Sequence, residues 1–233
     1  AALDAAEAGL TAVDAGSATE EQRPGTIDEG VSVAALAEHP ANLVAISIAG
    51  TYAPVVAEQA LRGGMHVLCF SDNVAVADEV RLKTLAVEKR LLMMGPDCGT
   101  AILDGVPLGF ANAVARGSVG IVAASGTGAQ EVSRLLDGAG AGVSQLIGVG
   151  GRDLSAEVGG LMANLALDFL IDDPETTVIM MVSKPPAPEV VDALLARLAG
   201  IAANGTPVVA CFLGQDDSDT DGVLVRGTLE GGA

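Results

Sequence analysis

From residue 43 to residue 213 the hydrophobic positions fall into short apolar runs separated by stretches of helical period. The runs at 43–48, 66–70, 91–94, 119–124, 144–149, 178–182 and 208–213 are rich in Val, Ile, Leu and Met and have the length of buried strands. Between them, 54–62, 76–90, 129–136, 156–171 and 189–198 read as helices. In the third of these Val132, Leu135 and Leu136 share one face, and Gly63-Gly64 ends the first. Strands that alternate with helices require crossover connections, which make a mostly parallel sheet. The expected fold class is therefore α/β: two doubly wound parallel-sheet units dividing near residue 116. Residues 1–15 form an Ala-rich helical pattern, and 16–30, with Pro24 and Gly25, read as a linker. A short helix at 32–38 stops before Pro40. The expected division is 1–30 as N-terminal helix and linker, 31–115 as the first unit and 116–233 as the second. Residues 100–116 and the acidic tail from Gln215 are expected to be loops.

In parallel sheets of this kind, ligands sit beyond the carboxyl ends of the strands, where the strand order reverses. That rule sorts the polar and glycine clusters. The loops at 47–52, 70–73, 95–100, 125–128, 148–153 and 183–186 all follow predicted strands and all open on that edge. The most specific is Ser125, Gly126, Thr127 and Gly128, set between a strand and a helix. Two glycines let the chain turn sharply, a hydroxyl can cap the helix, and the first amides of a helix stay free to meet an anion. The alternative is a tight strand-to-helix turn that holds nothing.

Charge narrows the classes. Thirty acidic against twelve basic residues give a net charge of −18, and a chain that grips nucleic-acid phosphates needs a basic face instead. No apolar run reaches membrane-spanning length, because Asn164 and Asp168 interrupt the longest. The three cysteines have no metal-ligand spacing, so no metal is expected, and their odd number suits a reduced, cytoplasmic setting. The sequence begins without Met and reads as a segment of a longer protein or a processed chain.

The scarcity of cations makes their placement informative. Most fall on helices, and Arg116 precedes a strand. Arg152 and Lys184 alone lie immediately after strands. If the second unit has strand order 2-1-3-4, its reversal lies between the strands that feed the 125–128 and 183–186 loops. Lys184 would then face the anion nest as the candidate catalytic cation, with Ser183 as a further candidate anion contact, or else stand solvated. Gly150 and Gly151 are further candidate anion contacts, and Arg152 beside them either contacts an anion or pairs with Asp153. Cys98 has only Asp97 as a charged neighbour in sequence, so it reads as a loop-packing thiol rather than a nucleophile. His66 begins a strand, at the wrong edge for catalysis.

From about residue 42 to residue 214 the chain resembles the α subunit of succinyl-CoA synthetase, through Gly95-Pro96-Asp97-Cys98, Val119-Gly120-Ile121-Val122, Ser125-Gly126-Thr127 and Gly148-Val149-Gly150-Gly151. It resembles the FdrA-like branch of that superfamily more closely. The carrying motifs are Phe70-Ser71-Asp72-Asn73, the Met94–Thr100 run, Ala124-Ser125-Gly126-Thr127-Gly128, the run from Gly151 to Gly160, and Val182-Ser183-Lys184-Pro185-Pro186. The resemblance implies a Rossmann-like CoA-binding half followed by a flavodoxin-like half. It implies CoA or acyl-CoA as cofactor, with contacts at Ser47, Gly50, Tyr52, Ser71, Asp72, Asn73, Gly95, Pro96, Asp97 and Cys98. It also implies a phosphate-bearing ligand on Ser125, Gly126, Thr127 and Gly128, and a second subunit or flanking domains as partner. No nucleic-acid or membrane partner is expected. Two departures stand beside it. Residues 1–30 hold no glycine-rich CoA loop, which predicts weak CoA binding or none, and no histidine follows His66, so a phosphohistidine relay is not expected of this chain. Three functions follow as expectations: an acyl-CoA ligase-like protein, a subunit of a carbamoyltransferase acting on oxamate or carbamoyl phosphate in purine-nitrogen catabolism, or a scaffold without chemistry.

Overall fold

The computed structural model describes residues 41–233. The helix, linker and short helix expected within 1–38 lie outside the described residues. Seven of the expected strands form, and they divide between two sheets.

The smaller sheet is β1 (Leu43–Ile46), β2 (His66–Cys69) and β3 (Met93–Met94), parallel throughout and in that order. Two helices make its crossovers. α1 (Ala53–Arg62) opens with Pro54 in its first turn, where a missing N–H costs nothing, and buries Ala57, Ala60 and Leu61. α2 (Val76–Lys89) carries Asp78 and Glu79 at its positive end and stops at Arg90, which takes a left-handed conformation.

The larger sheet has eight strands. Its parallel centre is β6 (Arg116–Ala123), β7 (Val143–Gly148), β8 (Val178–Ser183) and β9 (Val208–Phe212), in the order β7-β6-β8-β9. The expected 2-1-3-4 arrangement is therefore present, and the reversal lies between β6 and β8. The crossovers are α3 (Gly126–Gly138), α4 (Leu161–Asp172) and α5 (Pro188–Ala203). Ile121, Val132, Leu136, Leu146, Met180 and Val182 form part of the core cluster between sheet and helices. Each such side chain contributes roughly 1.5–3 kcal/mol when removed from water.

Three expectations need correction. The stretch 100–116 is not a loop: β4 (Thr100–Leu103) and β5 (Val106–Gly109) form a hairpin, and β4 pairs antiparallel with β7. Membership of the larger sheet thus begins at Thr100, ahead of residue 116. The tail is not a solvated loop either, because β10 (Ser218–Thr220) and β11 (Val223–Arg226) form a second hairpin with β11 parallel to β9, followed by α6 (Leu229–Gly232). Third, α4 begins at Leu161, not at residue 156. Gly159 and Gly160 take left-handed φ values of 69° and 73°, which keep the preceding turns out of the helix. Residues 42–233 belong to one compact unit.

Candidate functional site

The C-terminal ends of β1, β2 and β3 carry three loops that are stitched to one another. Ile48 N donates to Ser71 Oγ at 3.0 Å, Asp97 N to Ser71 O at 3.0 Å, and Cys98 N to Cys69 O at 3.1 Å. Gly50 lies so close to the next loop that a Cβ there would sit 2.0 Å from Asp72 O. Gly95, at φ 101°, likewise leaves no room beside Cys69 O. Ser47, Tyr52, Asp72, Asn73 and Asp97 are exposed around this platform, while Ser71, Pro96 and Cys98 are buried in it. The residues expected at a cofactor site are therefore gathered on one edge.

The larger sheet brings its own loops against that platform. Ser125 is the N-cap of α3, and its Oγ accepts from Gly128 N at 3.3 Å. This corrects one detail of the expected nest, since the Gly128 amide is occupied by the cap. Gly126 N and Thr127 N have no hydrogen-bond partner among the described residues, and both residues are exposed. On the other side Gly150 packs over the smaller sheet's third loop, where a Cβ would meet Pro96 O at 2.6 Å. The amides of Gly150 and Gly151 also lack partners among the described residues. A cavity of about 10 Å³ lies between the two loops, lined by Gly126, Gly148, Gly150 and Gly151 together with Ser125, Asp97, Cys98 and Thr100. That is room for about one water. A larger anion would meet these amides from the mouth, where Gly126, Thr127 and Gly151 are exposed.

The thiol of Cys98 faces Thr100 O at 3.6 Å, and burial pushes its pKa up to about 11. It is a packing group and not a thiolate at neutral pH. Cys69 is raised to about 11 by the same cause.

The polar side chains expected at the nest divide. Lys184 lies at the end of β8, beside the reversal, exposed and without a side-chain partner among the described residues, but it is not part of the cavity wall. Ser183 is buried, and its hydroxyl donates to Lys184 O at 2.5 Å instead of facing a ligand. Arg152 neither lines the cavity nor pairs with Asp153. Its Nη2 donates to Val74 O at 2.9 Å and forms an ion pair with Glu79 Oε2 at 2.8 Å, close in distance but off the angle of a hydrogen bond.

Asp153 belongs to a group that the sequence reading missed. Lys83 is fully buried, and its Nζ reaches Glu79 Oε1 at 2.8 Å, Asp153 Oδ1 at 2.7 Å and Val149 O at 2.8 Å. The Asp153 carboxylate in turn accepts from Met162 N and Ala163 N and so caps α4. The signal was available: Glu79 and Lys83 occupy the same helical stripe as Leu82 and Ala86, a spacing that puts charge in the core face of α2.

His66 lies at the opposite edge, as its position before β2 implies. It lines a groove of about 670 Å³ with Leu103, Ile147 and Phe169. Its Nδ1 accepts from Leu92 N at 2.9 Å, and burial lowers its pKa. Among the described residues no cluster of His, Cys, Asp and Glu could hold a metal ion, and no helix is long and apolar enough to cross a membrane.

Fold and edge together define an α/β protein with a mostly parallel, Rossmann-like architecture. The CoA binding domain family matches residues 115–209, the stretch that runs from β6 to β9. The chain is 54% identical over 192 residues to the uncharacterized protein YahF of Escherichia coli (strain K12), covering 81% of this chain and 37% of that one. It is 29% identical over 156 residues to the succinate–CoA ligase [ADP-forming] subunit alpha of Aquifex aeolicus (strain VF5), covering 64% and 50%. The chain thus spans between about a third and a half of the length of these relatives. Among solved structures, the ATP citrate lyase of Methanothrix soehngenii in complex with citrate and coenzyme A matches with a TM-score of 0.66 at 17% identity, over 78% of this chain and 31% of that one. The dinucleotide-forming acetyl-coenzyme A synthetase 1 of Ca. Korarchaeum cryptofilum, in complex with phosphate and ADP, matches at 0.58 and 17%, over 76% and 40%. At such identities the likeness is one of fold. The chain is thus similar to the CoA binding domain family over residues 115–209 and to a succinate–CoA ligase α subunit over 64% of its length. The family match falls on the half expected to grip phosphate, not on residues 31–115.

Proposed function

We propose that this chain is the ligand-binding part of an FdrA-like protein of the acyl-CoA synthetase type, and that it takes a CoA-like or phosphate-bearing ligand at the shared C-terminal edge of its two sheets. One observation carries the reading. The amides of Gly126 and Thr127 on one loop, and of Gly150 and Gly151 on another, have no partners among the described residues and flank one cavity at the C-terminal ends of the neighbouring strands β6 and β7. Unpaired backbone donors at a helix N-terminus favour an anion through both hydrogen bonds and the helix dipole. In this reading the four amides hold a phosphoryl or acyl-phosphate group, Lys184 adds charge from the end of β8, and the 47–52, 70–73 and 95–98 loops meet the rest of the ligand. Preorganised donors of this kind stabilise charge that develops during acyl or phosphoryl transfer.

The histidines favour a second form of the same reading. Among the described residues the only histidine is His66, at the far edge. A small molecule is then the carrier to test for a phosphoryl group at this nest, and carbamoyl phosphate is as suitable as an acyl phosphate. Calorimetric titration with CoA, acetyl phosphate and carbamoyl phosphate in turn, on the parent and on Gly126→Val, tests both forms. At least one phosphate-bearing compound should bind saturably to the parent. Gly126→Val should abolish that binding with the fold intact, because the added side chain obstructs the approach to the amides. If no compound binds the parent at millimolar concentration, the reading fails.

A further inference from the structure

We infer that the buried Lys83 is the positioning residue of the anion site and sets the Gly150–Gly151 wall from the helix of the other sheet. The inference rests on the phosphate reading above and adds to it the group that holds half of the donors in place.

Lys83 lies on α2, in the smaller sheet's layer, whereas Val149, Gly150 and Gly151 follow β7 of the larger sheet. Its Nζ donates to Val149 O, the carbonyl immediately before the two glycines, at 2.8 Å. The same atom reaches Asp153 Oδ1 at 2.7 Å, two residues beyond them. The glycine pair is therefore pinned on both flanks by one ammonium group, while Val149 N is tied to Ala123 O at 2.8 Å. Glycines have the widest backbone freedom of any residue, and Gly150 stands at φ 88°. Without fixed flanks the direction of their N–H groups would be poorly specified.

The surroundings show that Lys83 is there for this geometry. Three donors meet three acceptors, from Glu79, Asp153 and Val149, so no Nζ proton is left over. Other charged groups in the cluster are matched: Glu79 pairs with Lys83 and Arg152, and Asp153 is also bonded to the first amides of α4. Arg152 extends the tie to the 71–74 loop through Val74 O. The wall of the nest is thus connected to the loops of the smaller sheet through buried or half-buried polar contacts.

The test separates positioning from simple stability. Lys83→Met leaves Asp153 and Glu79 without their shared partner and can unfold the chain, so the decisive variant is Glu79→Met with Lys83→Met. That double change removes one charge of each sign and fills the space with apolar groups, a replacement that buried ion pairs often tolerate. Circular dichroism should show it folded. In the free protein, the ¹⁵N–¹H amide signals of Gly150 and Gly151 should move while those of Gly126 and Thr127 stay. Affinity for inorganic phosphate should fall about tenfold or more. Unmoved Gly150 and Gly151 signals, or unchanged phosphate affinity in the folded double variant, would overturn the inference. Failure of the double variant to fold would overturn it too, by making Lys83 a folding determinant. If the parent itself binds no phosphate, the phosphate reading fails, and the amide signals alone decide whether Lys83 sets the wall.

Discussion

Lys184 and Arg152 are the two cations that follow strands on the ligand edge, yet the structure treats them differently. Arg152 is committed to Glu79 and Val74, whereas Lys184 stands exposed beside the reversal with no side-chain partner among the described residues. Sequence position alone did not separate them, because Arg152's partners are more than seventy residues away in sequence. On the reading above, Lys184→Met keeps most of the side chain's length and removes its charge. It should leave the melting midpoint almost unchanged, as expected for an exposed residue with no side-chain partner to lose among the described residues. Phosphate affinity should drop roughly tenfold, as loss of one charge-assisted contact implies. Equal affinity for parent and variant would make Lys184 a bystander. The thiols were easier to read: with no cation at its side in sequence, Cys98 was expected to be a packing residue, and its buried place beside Thr100 agrees.

The parallel core was legible because its strands are uninterrupted apolar runs, each followed by glycine or hydroxyl residues. The two hairpins were missed although each carries a strong turn signal. Asp104-Gly105 and Asp221-Gly222 join their strands with both residues at positive φ, 50° and 80° in the first and 49° and 81° in the second. Asp-Gly is the pair that such two-residue turns demand. The flanking strands are short and partly exposed, so weak hydrophobic alternation hid them. The start of α4 was misplaced for a related reason, since residues that look helical by composition are held in turns by Gly159-Gly160 and by the distant Asp153 carboxylate. At this scale β2 yields a pH test. Burial lowers the His66 pKa below its ordinary 6.5, so the folded state favours the neutral ring. Its contribution to stability is full above pH 6.5 and is lost as pH falls through the lower folded value. His66→Asn keeps an acceptor for Leu92 N and does not titrate. Urea unfolding across this acid range should show a shallower loss for the variant than for the parent. Parallel curves would contradict the assignment.

Across the described residues, a parallel sheet and a mostly parallel one turn the C-terminal ends of their parallel strands toward a common set of loops. The network of Lys83, Glu79, Asp153 and Arg152 holds elements of both sheets where those loops meet. That arrangement explains why the candidate site was only half visible in the sequence. The glycine and hydroxyl motifs mark its edge, but the lysine that fixes one wall lies about seventy residues before it, on an otherwise ordinary helix. The central claim is that the amides of Gly126, Thr127, Gly150 and Gly151 make one anion site. The most direct measurement is a crystal structure of the chain grown with acetyl phosphate or inorganic phosphate. The account predicts tetrahedral density within hydrogen-bond distance of amides from both loops, at the mouth between α3 and the Gly150–Gly151 turn. Density confined to the groove beside His66, or an empty mouth in crystals that hold phosphate elsewhere on the chain, would contradict it.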